Sequence, residues 1–167
     1  MAAAVLTTSR LILRAFAEGD AEAITRLMTD LAVRRYLGGP VTEERMAAIR
    51  AAYVGAPGVY AVALAPAGPL LGVVSLTPYE RLAGRTEISY AFLPEHWGQG
   101  YAREAVSALL KYQAQEGGSP LLALTQEANA RSRYLLEALG MRVVDSYEEW
   151  GARQVLYEVG RGGPQWP

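Results

Sequence analysis

The chain has 167 residues, a formal net charge of −1, and 20% charged against 51% hydrophobic residues. That balance suits one folded domain with a substantial core and excludes a disordered chain. The near-zero charge leaves no chain-wide basic field for nucleic acid or an anionic membrane, and the absence of cysteine removes disulfides, thiolate metal sites and a Cys nucleophile together.

The opening MAAAVLTTSR lacks a basic n-region, so no signal peptide is expected. Leu11–Phe16 alternates as a strand. Glu18-Gly19-Asp20 then starts a helix expected to run through Asp30, with Asp20 as N-cap and Ile24, Leu27, Met28 and Leu31 on the buried face. Gly38-Gly39-Pro40 ends that region, and Thr42 opens a second helix to about Tyr53. The stretch from Ala51 to Tyr79 carries no charge, but Pro57, Pro66, Pro69 and Pro78 break any spanning helix. The expectation is a cytoplasmic protein without a membrane segment.

Val59–Leu64 and Leu70–Thr77 read as a hairpin across Ala65–Pro69, and Thr86–Leu93 as a third antiparallel strand. The helix after Gly100 stops near Gly117-Gly118, Leu121–Thr125 is a short apolar strand, and a helix from Asn129 to Leu139 ends at Gly140. Met141–Glu148 and Ala152–Val159 close the pattern as a hairpin across Trp150-Gly151. The class is α/β, with a mixed sheet and helices on its faces. No linker divides the chain, so residues 1–160 are expected to form a single domain and 161–167 a flexible tail.

The segment TEISYAFLPEHWGQGYAREA, from Thr86 to Ala105, carries the strongest functional signal. A strand alternating Ile88, Tyr90 and Phe92 against Glu87, Ser89 and Ala91 breaks at Pro94. It passes through Trp97-Gly98-Gln99-Gly100-Tyr101-Ala102 directly into a helix carrying Val106, Leu109 and Leu110. Such a turn leaves backbone N–H groups unpaired at the positive end of a helix dipole, a ready anion site. It is not a dinucleotide fingerprint, because Arg103 stands where a small residue is needed, and not a P-loop, because Tyr-Ala follows Gly100. On the turn alone, an anion site and a plain bend remain alternatives.

A second motif, Asn129-Ala130-Arg131-Ser132-Arg133-Tyr134-Leu135-Leu136-Glu137-Ala138-Leu139-Gly140-Met141, follows one strand later. With the opening strand Thr8-Ser9-Arg10-Leu11-Ile12-Leu13-Arg14, these motifs make the chain resemble a GNAT-superfamily N-acetyltransferase. The branch it is similar to includes the N-terminal acetyltransferases of ribosomal proteins. The resemblance spans almost the whole chain. It implies a mostly antiparallel sheet of six to seven strands, flanked by about four helices and splayed at an acetyl-CoA cleft. The implied partners are acetyl-CoA and an amine acceptor, either a peptide N-terminus or a small molecule, with no metal; a homodimer is left open.

By the same resemblance, Trp97, Gly98, Gln99, Gly100, Tyr101, Ala102 and Arg103 wrap the cofactor diphosphate with backbone amides. Trp97 stands where the family motif has Arg or Gln. Phe92 and Leu93 meet the pantetheine arm, Asn129 contacts that arm, and Ser132 lies near the thioester sulfur as proton donor to the leaving thiolate. Asn129 is equally compatible with a helix N-cap, Ser132 with a hydroxyl bonded back along its helix, and Tyr134 is a rival to Ser132. Arg131 and Arg133 join Arg103 as phosphate contacts or solvated charges.

Direct transfer to an amine needs alignment, a polarised carbonyl and a base, with no protein nucleophile. Strand amides near Tyr90–Phe92 are candidates to polarise the carbonyl. An α-amine, with a pKa of about 7.7–8.0, needs far less help than a lysine at about 10.4. Glu87 is the candidate base, either acting through water or merely paired to Arg85 or Arg14; Glu80 ranks behind it. His96 is the lone histidine beside the turn, and Tyr36, Tyr53, Tyr60 and Tyr79 are either acceptor-pocket residues or core. Ser89 stands where the branch usually has Gly, which keeps a second function in view: a CoA-binding sensor or interaction protein without turnover.

Overall fold

The computed structural model describes residues 5–160; the expected loose tail, 161–167, lies outside them. In chain order the elements are β1 (Leu6–Thr7), β2 (Leu11–Arg14), a 3-10 turn (Glu18–Asp20), α1 (Ala21–Thr29), α2 (Leu31–Arg34) and α3 (Glu43–Tyr53). There follow β3 (Val59–Leu64), β4 (Leu70–Pro78), β5 (Thr86–Phe92), a second 3-10 turn (Pro94–His96) and α4 (Tyr101–Gln115). The chain ends with β6 (Leu122–Gln126), α5 (Ala130–Ala138), β7 (Met141–Glu149) and β8 (Ala152–Val159).

The strands make an eight-stranded mixed sheet in the order β1-β2-β3-β4-β5-β6-β8-β7. Neighbours pair antiparallel at β1–β2, β2–β3, β3–β4, β6–β8 and β7–β8, and parallel at β5–β6. Strand and helix numbers exceed those expected through β1 and α2, of two and four residues. Elements that short carry no readable hydrophobic period.

The chain divides into two compact units. The first holds the residues up to Ser75 together with Tyr90–Val106, and the second holds Leu76–Ser89 with the residues from Ser107 on. In the first unit, Phe16, Ile24, Leu27, Met28, Val33, Met46, Ala61, Val73 and Leu93 form a buried cluster, with Trp97 packed against it. In the second, Tyr79, Leu122 and Leu156 are buried together with Leu124 against them.

The first helix departs from expectation at both ends. Asp20 does not cap α1 with its side chain. Its carboxylate instead accepts from Arg14 at 2.7 and 3.0 Å and from the Ala17 N–H at 2.8 Å, and the Arg14 hydrogen bond holds it below the usual carboxylate range. At the other end, Asp30 turns extended and accepts from the Val33 N–H, which starts α2 as a new turn. That break rotates Leu31 out to 77% exposure and buries Val33 in its place. Thr42 precedes α3 without a side-chain cap.

Elsewhere local chemistry and fold agree. The β7–β8 hairpin turns at Trp150 and Gly151, both with positive φ (52° and 73°), as a two-residue turn between right-twisted strands requires. At the β4–β5 contact in the first unit the backbone passes close to a side chain. A Cβ on Gly72 would meet the Ala91 carbonyl oxygen at 2.4 Å and the Phe92 ring at 2.8 Å. Gly72→Val is therefore expected to destabilise the fold by about 1–3 kcal/mol, read as a lower urea midpoint at unchanged slope.

Candidate active site

The turn expected to hold an anion belongs to the first unit. β5 ends at Phe92, and Pro94 occupies the start of the following 3-10 turn, where its missing N–H costs nothing. Trp97 comes next. Its indole Nε1 donates to the Phe92 carbonyl at 2.7 Å while the ring packs on the buried cluster. This explains an aromatic residue at a motif position that is otherwise Arg or Gln, because here the side chain ties the turn to the strand.

Gly98 and Gly100 follow with φ of 74° and 81°, values that a side chain resists. A Cβ on Gly98 would find nothing within 4 Å, and one on Gly100 only the Arg10 Nη2 at 3.3 Å, so the space beside both glycines is open apart from that guanidinium. α4 opens at once, and the Glu104 N–H reaches the Gly100 carbonyl at 3.0 Å. The amides of Tyr101, Ala102 and Arg103 precede the first helical donor, the Glu104 N–H, and have no intrahelical partner. A helix N-terminus of this kind is chemically suited to an anion.

Leu93 differs from its expected role in what it offers. Its N–H donates to Leu71 at 2.9 Å, its carbonyl accepts from His96 at 3.0 Å, and its side chain is buried. Alternation along the strand then places the Phe92 N–H and carbonyl on the opposite edge of β5. The β5–β6 ladder consists of the single pair Glu87↔Leu122, consistent with the splay expected there. His96 meets the Tyr101 ring edge-on at 6.5 Å, and Arg103 is exposed.

A cluster that sequence reasoning missed is built around Glu104. The carboxylate accepts from Thr8 Oγ1 at 2.6 Å, Ser9 Oγ at 3.1 Å, the Arg10 N–H at 3.0 Å and Arg10 Nε at 2.7 Å. Burial opposes its charge, but the donors from Thr8, Arg10 and Ser9 prevail and hold the carboxyl below its ordinary value. Arg10 Nη1 also donates to the Gln99 carbonyl at 3.0 Å, and the guanidinium lies over the Tyr101 ring at 4.5 Å. The available signal was an acid in the first turn of a helix expected to bind an anion. On the far side of the turn Arg26 grips Glu95 at 2.7 and 3.0 Å, and this pairing pulls the exposed Glu95 carboxyl down to about 2.

In the second unit Glu87 is not paired to either expected arginine. Arg85 binds Glu158 and Arg14 binds Asp20, leaving the Glu87 side chain without a hydrogen bond or ion pair among the described residues. Burial, reinforced by the nearby Glu80 charge, pushes its carboxyl up to about 7. Asn129 does cap α5, its Oδ1 accepting from the Ser132 N–H at 3.2 Å. Tyr134 is 77% exposed. Arg133 is engaged with the Tyr157 hydroxyl at 3.1 Å, which in turn donates to Glu137 at 2.9 Å. Of the tyrosines weighed as pocket residues, Tyr60 and Tyr79 are core, Tyr53 packs edge-on against Phe16, and Tyr36 lies under Arg35.

Among the described residues, no group of three or more His, Cys, Asp or Glu is arranged to hold a metal, and no helix is long and apolar enough to cross a membrane.

The sequence matches the Acetyltransferase (GNAT) domain family over residues 10–142. The chain belongs to the GNAT acetyltransferases. It is similar to the uncharacterised N-acetyltransferase YoaA of Bacillus subtilis strain 168, at 30% identity over 164 residues, covering 93% of this chain and 90% of that protein. It is also similar in structure to a GNAT-family acetyltransferase from Bacillus anthracis, with a TM-score of 0.84 and 26% identity over 93% and 98% of the two chains. The fold further resembles the Salmonella typhimurium acetyl transferase that modifies the N-terminal serine of ribosomal protein L7/L12, with a TM-score of 0.74 and 15% identity over 93% and 98%. The protein is an acetyltransferase.

Because the Glu87 pKa lies above its unfolded value of about 4.5, the folded state holds the extra proton between about 4.5 and 7. Glu87 therefore costs stability as pH rises through that window and costs nothing below it. A carboxyl NMR titration should show its midpoint near 7. Glu80→Gln should lower that midpoint without restoring the ordinary value, since burial is the larger cause.

Proposed function

We propose that this protein transfers the acetyl group of acetyl-CoA directly to a primary amine. The observation that carries the reading is the pair of positive-φ glycines, Gly98 and Gly100, set directly before the N-terminus of α4. A helix N-terminus stripped of side chains suits a diphosphate, and acetyl-CoA presents one while supplying the thioester to be attacked.

In this reading the amides of residues 98–103 receive the diphosphate. The Phe92 N–H, on the β5 edge opposite its bond to β4, serves the extended arm or the carbonyl oxygen. Asn129 keeps Oδ1 on the helix cap and has Nδ2 to offer. Ser132 is assigned the proton for the leaving thiolate on family resemblance. Glu87 takes the proton from the amine: a carboxyl near pH 7 is half ionised at working pH and closely matched to an α-amine at about 7.7–8.0. That match favours an α-amine or a similarly weak base over a lysine.

Mass spectrometry of a panel of peptides and small amines incubated with acetyl-CoA tests the reading. Products are expected on free α-amines, and binding without any product would favour the sensor alternative. Glu87→Gln should lower kcat by about 10²-fold or more, leave CoA affinity within about twofold, and remove the pH-rate limb near 7. Ser132→Ala should slow turnover with affinity likewise retained. Normal rates in both variants would remove these assignments.

A further inference from the structure

The Arg10–Glu104 pair has no counterpart in the roles assigned above. The geometry points to Arg10 as a positioning residue that, held by Glu104, aims the amides of the Gln99–Gly100 turn at the bound anion. This inference rests on the proposal that the turn holds the diphosphate of CoA.

Two facts about peptide groups carry it. Gln99 lies between two glycines with positive φ, the most permissive backbone a chain can have, and ordering it for a ligand is entropically costly. The peptide joining Gln99 to Gly100 is planar and trans, so its C=O and N–H point in opposite directions. Arg10 Nη1 draws the Gln99 carbonyl at 3.0 Å and thereby turns the Gly100 N–H the other way, outward from Arg10.

Arg10 is itself held by its Nε bond to Glu104 at 2.7 Å and its seat on Tyr101 at 4.5 Å. Glu104 is fixed by Thr8 and Ser9. Charge supplies the second reason. A bare carboxylate in the first turn of α4 would repel an incoming phosphate, and the guanidinium with its hydroxyl neighbours cancels that repulsion. The bend between β1 and β2 thus supplies a cation to a turn that has Trp97 at its first position.

The test compares wild type, Arg10→Ala, Arg10→Lys and Glu104→Gln by calorimetric CoA titration, thermal melting, and amide NMR of Gly98 and Gly100 during the titration. A variant that merely loosens the fold melts lower yet shows the wild-type amide shifts at saturation. The positioning role predicts about tenfold weaker CoA binding for Arg10→Ala, with the Gly100 shift reduced at saturation. Arg10→Lys should recover less than half of the loss in log Kd, because an ammonium cannot bond Glu104 and Gln99 as a planar fork. Should Arg10→Ala fail to fold, Lys and Gln variants carry the same prediction in smaller measure. Wild-type affinity and shifts in the variants, or full rescue by Lys, overturn the clamp alone. Failure of the wild type to bind CoA overturns the proposed function and this inference with it.

Discussion

An anion seat made of main chain depends on peptide groups that the fold leaves without partners. Backbone amides are obligatory donors, and burying them unsatisfied is costly. The start of α4 sets its first amides, which have no intrahelical partner, at a glycine turn whose surroundings are anchored. Trp97 binds back to Phe92, Arg26 grips Glu95, and Arg10, in the bend before β2, holds the turn together with Glu104. The same requirement shapes β5. Leu93 spends its N–H on Leu71, so the Phe92 N–H and carbonyl lie on the opposite edge of β5, where the carbonyl takes the Trp97 indole. Strand, turn and helix are three expressions of one economy of donors.

The two units treat charge in opposite ways. At the turn each carboxylate is neutralised: Glu104 by Arg10, Glu95 by Arg26. These exposed or half-exposed pairs add little to global stability, and their effect is local order and a field that does not repel phosphate. On the second unit's part of β5, Glu87 is left without a cation and its pKa rises to about 7 through burial and the Glu80 charge. Neighbouring arginines exist, but Arg85 is spent on Glu158 and Arg81 on Glu149. Such shifts arise both at reactive sites and in purely structural settings, and the proton-transfer role of Glu87 stays with the proposed function.

Much of this was legible in the sequence, and the reasons are physical. The turn could be read because glycines at positions 98 and 100, just ahead of a helical period, mark left-handed backbone with no side chain over it. The longer strands could be read from period-two alternation, and β6 from its short unbroken apolar run. The first helix could not be resolved into its pieces. Nothing in the composition of Asp20 distinguishes a carboxylate that caps forward from one that accepts from Arg14 and Ala17 behind it, and Asp30 begins α2 only because the chain turns extended there. Leu93 illustrates a further limit. Its place beside the motif was clear, but the commitment of its amide to Leu71 is a tertiary fact. The Arg10–Glu104 pair joins residues far apart in sequence, and a single chain carries no signal of that pairing beyond the oddity of an acid where an anion should bind.

That oddity bears on the residue type at position 97. A basic side chain at position 97 would place charge beside the phosphates through a flexible stem, at the cost of losing the indole's bond to Phe92 and its packing on the buried cluster. Supplying the cation from Arg10 separates the two tasks. Position 97 becomes free to be structural, and the charge arrives already ordered by Glu104, Tyr101 and the Gln99 carbonyl. An arginine whose donors are occupied before the ligand binds loses little further side-chain entropy on binding. On the inference drawn for Arg10, the tryptophan is a departure from the family motif for which the bend before β2 compensates.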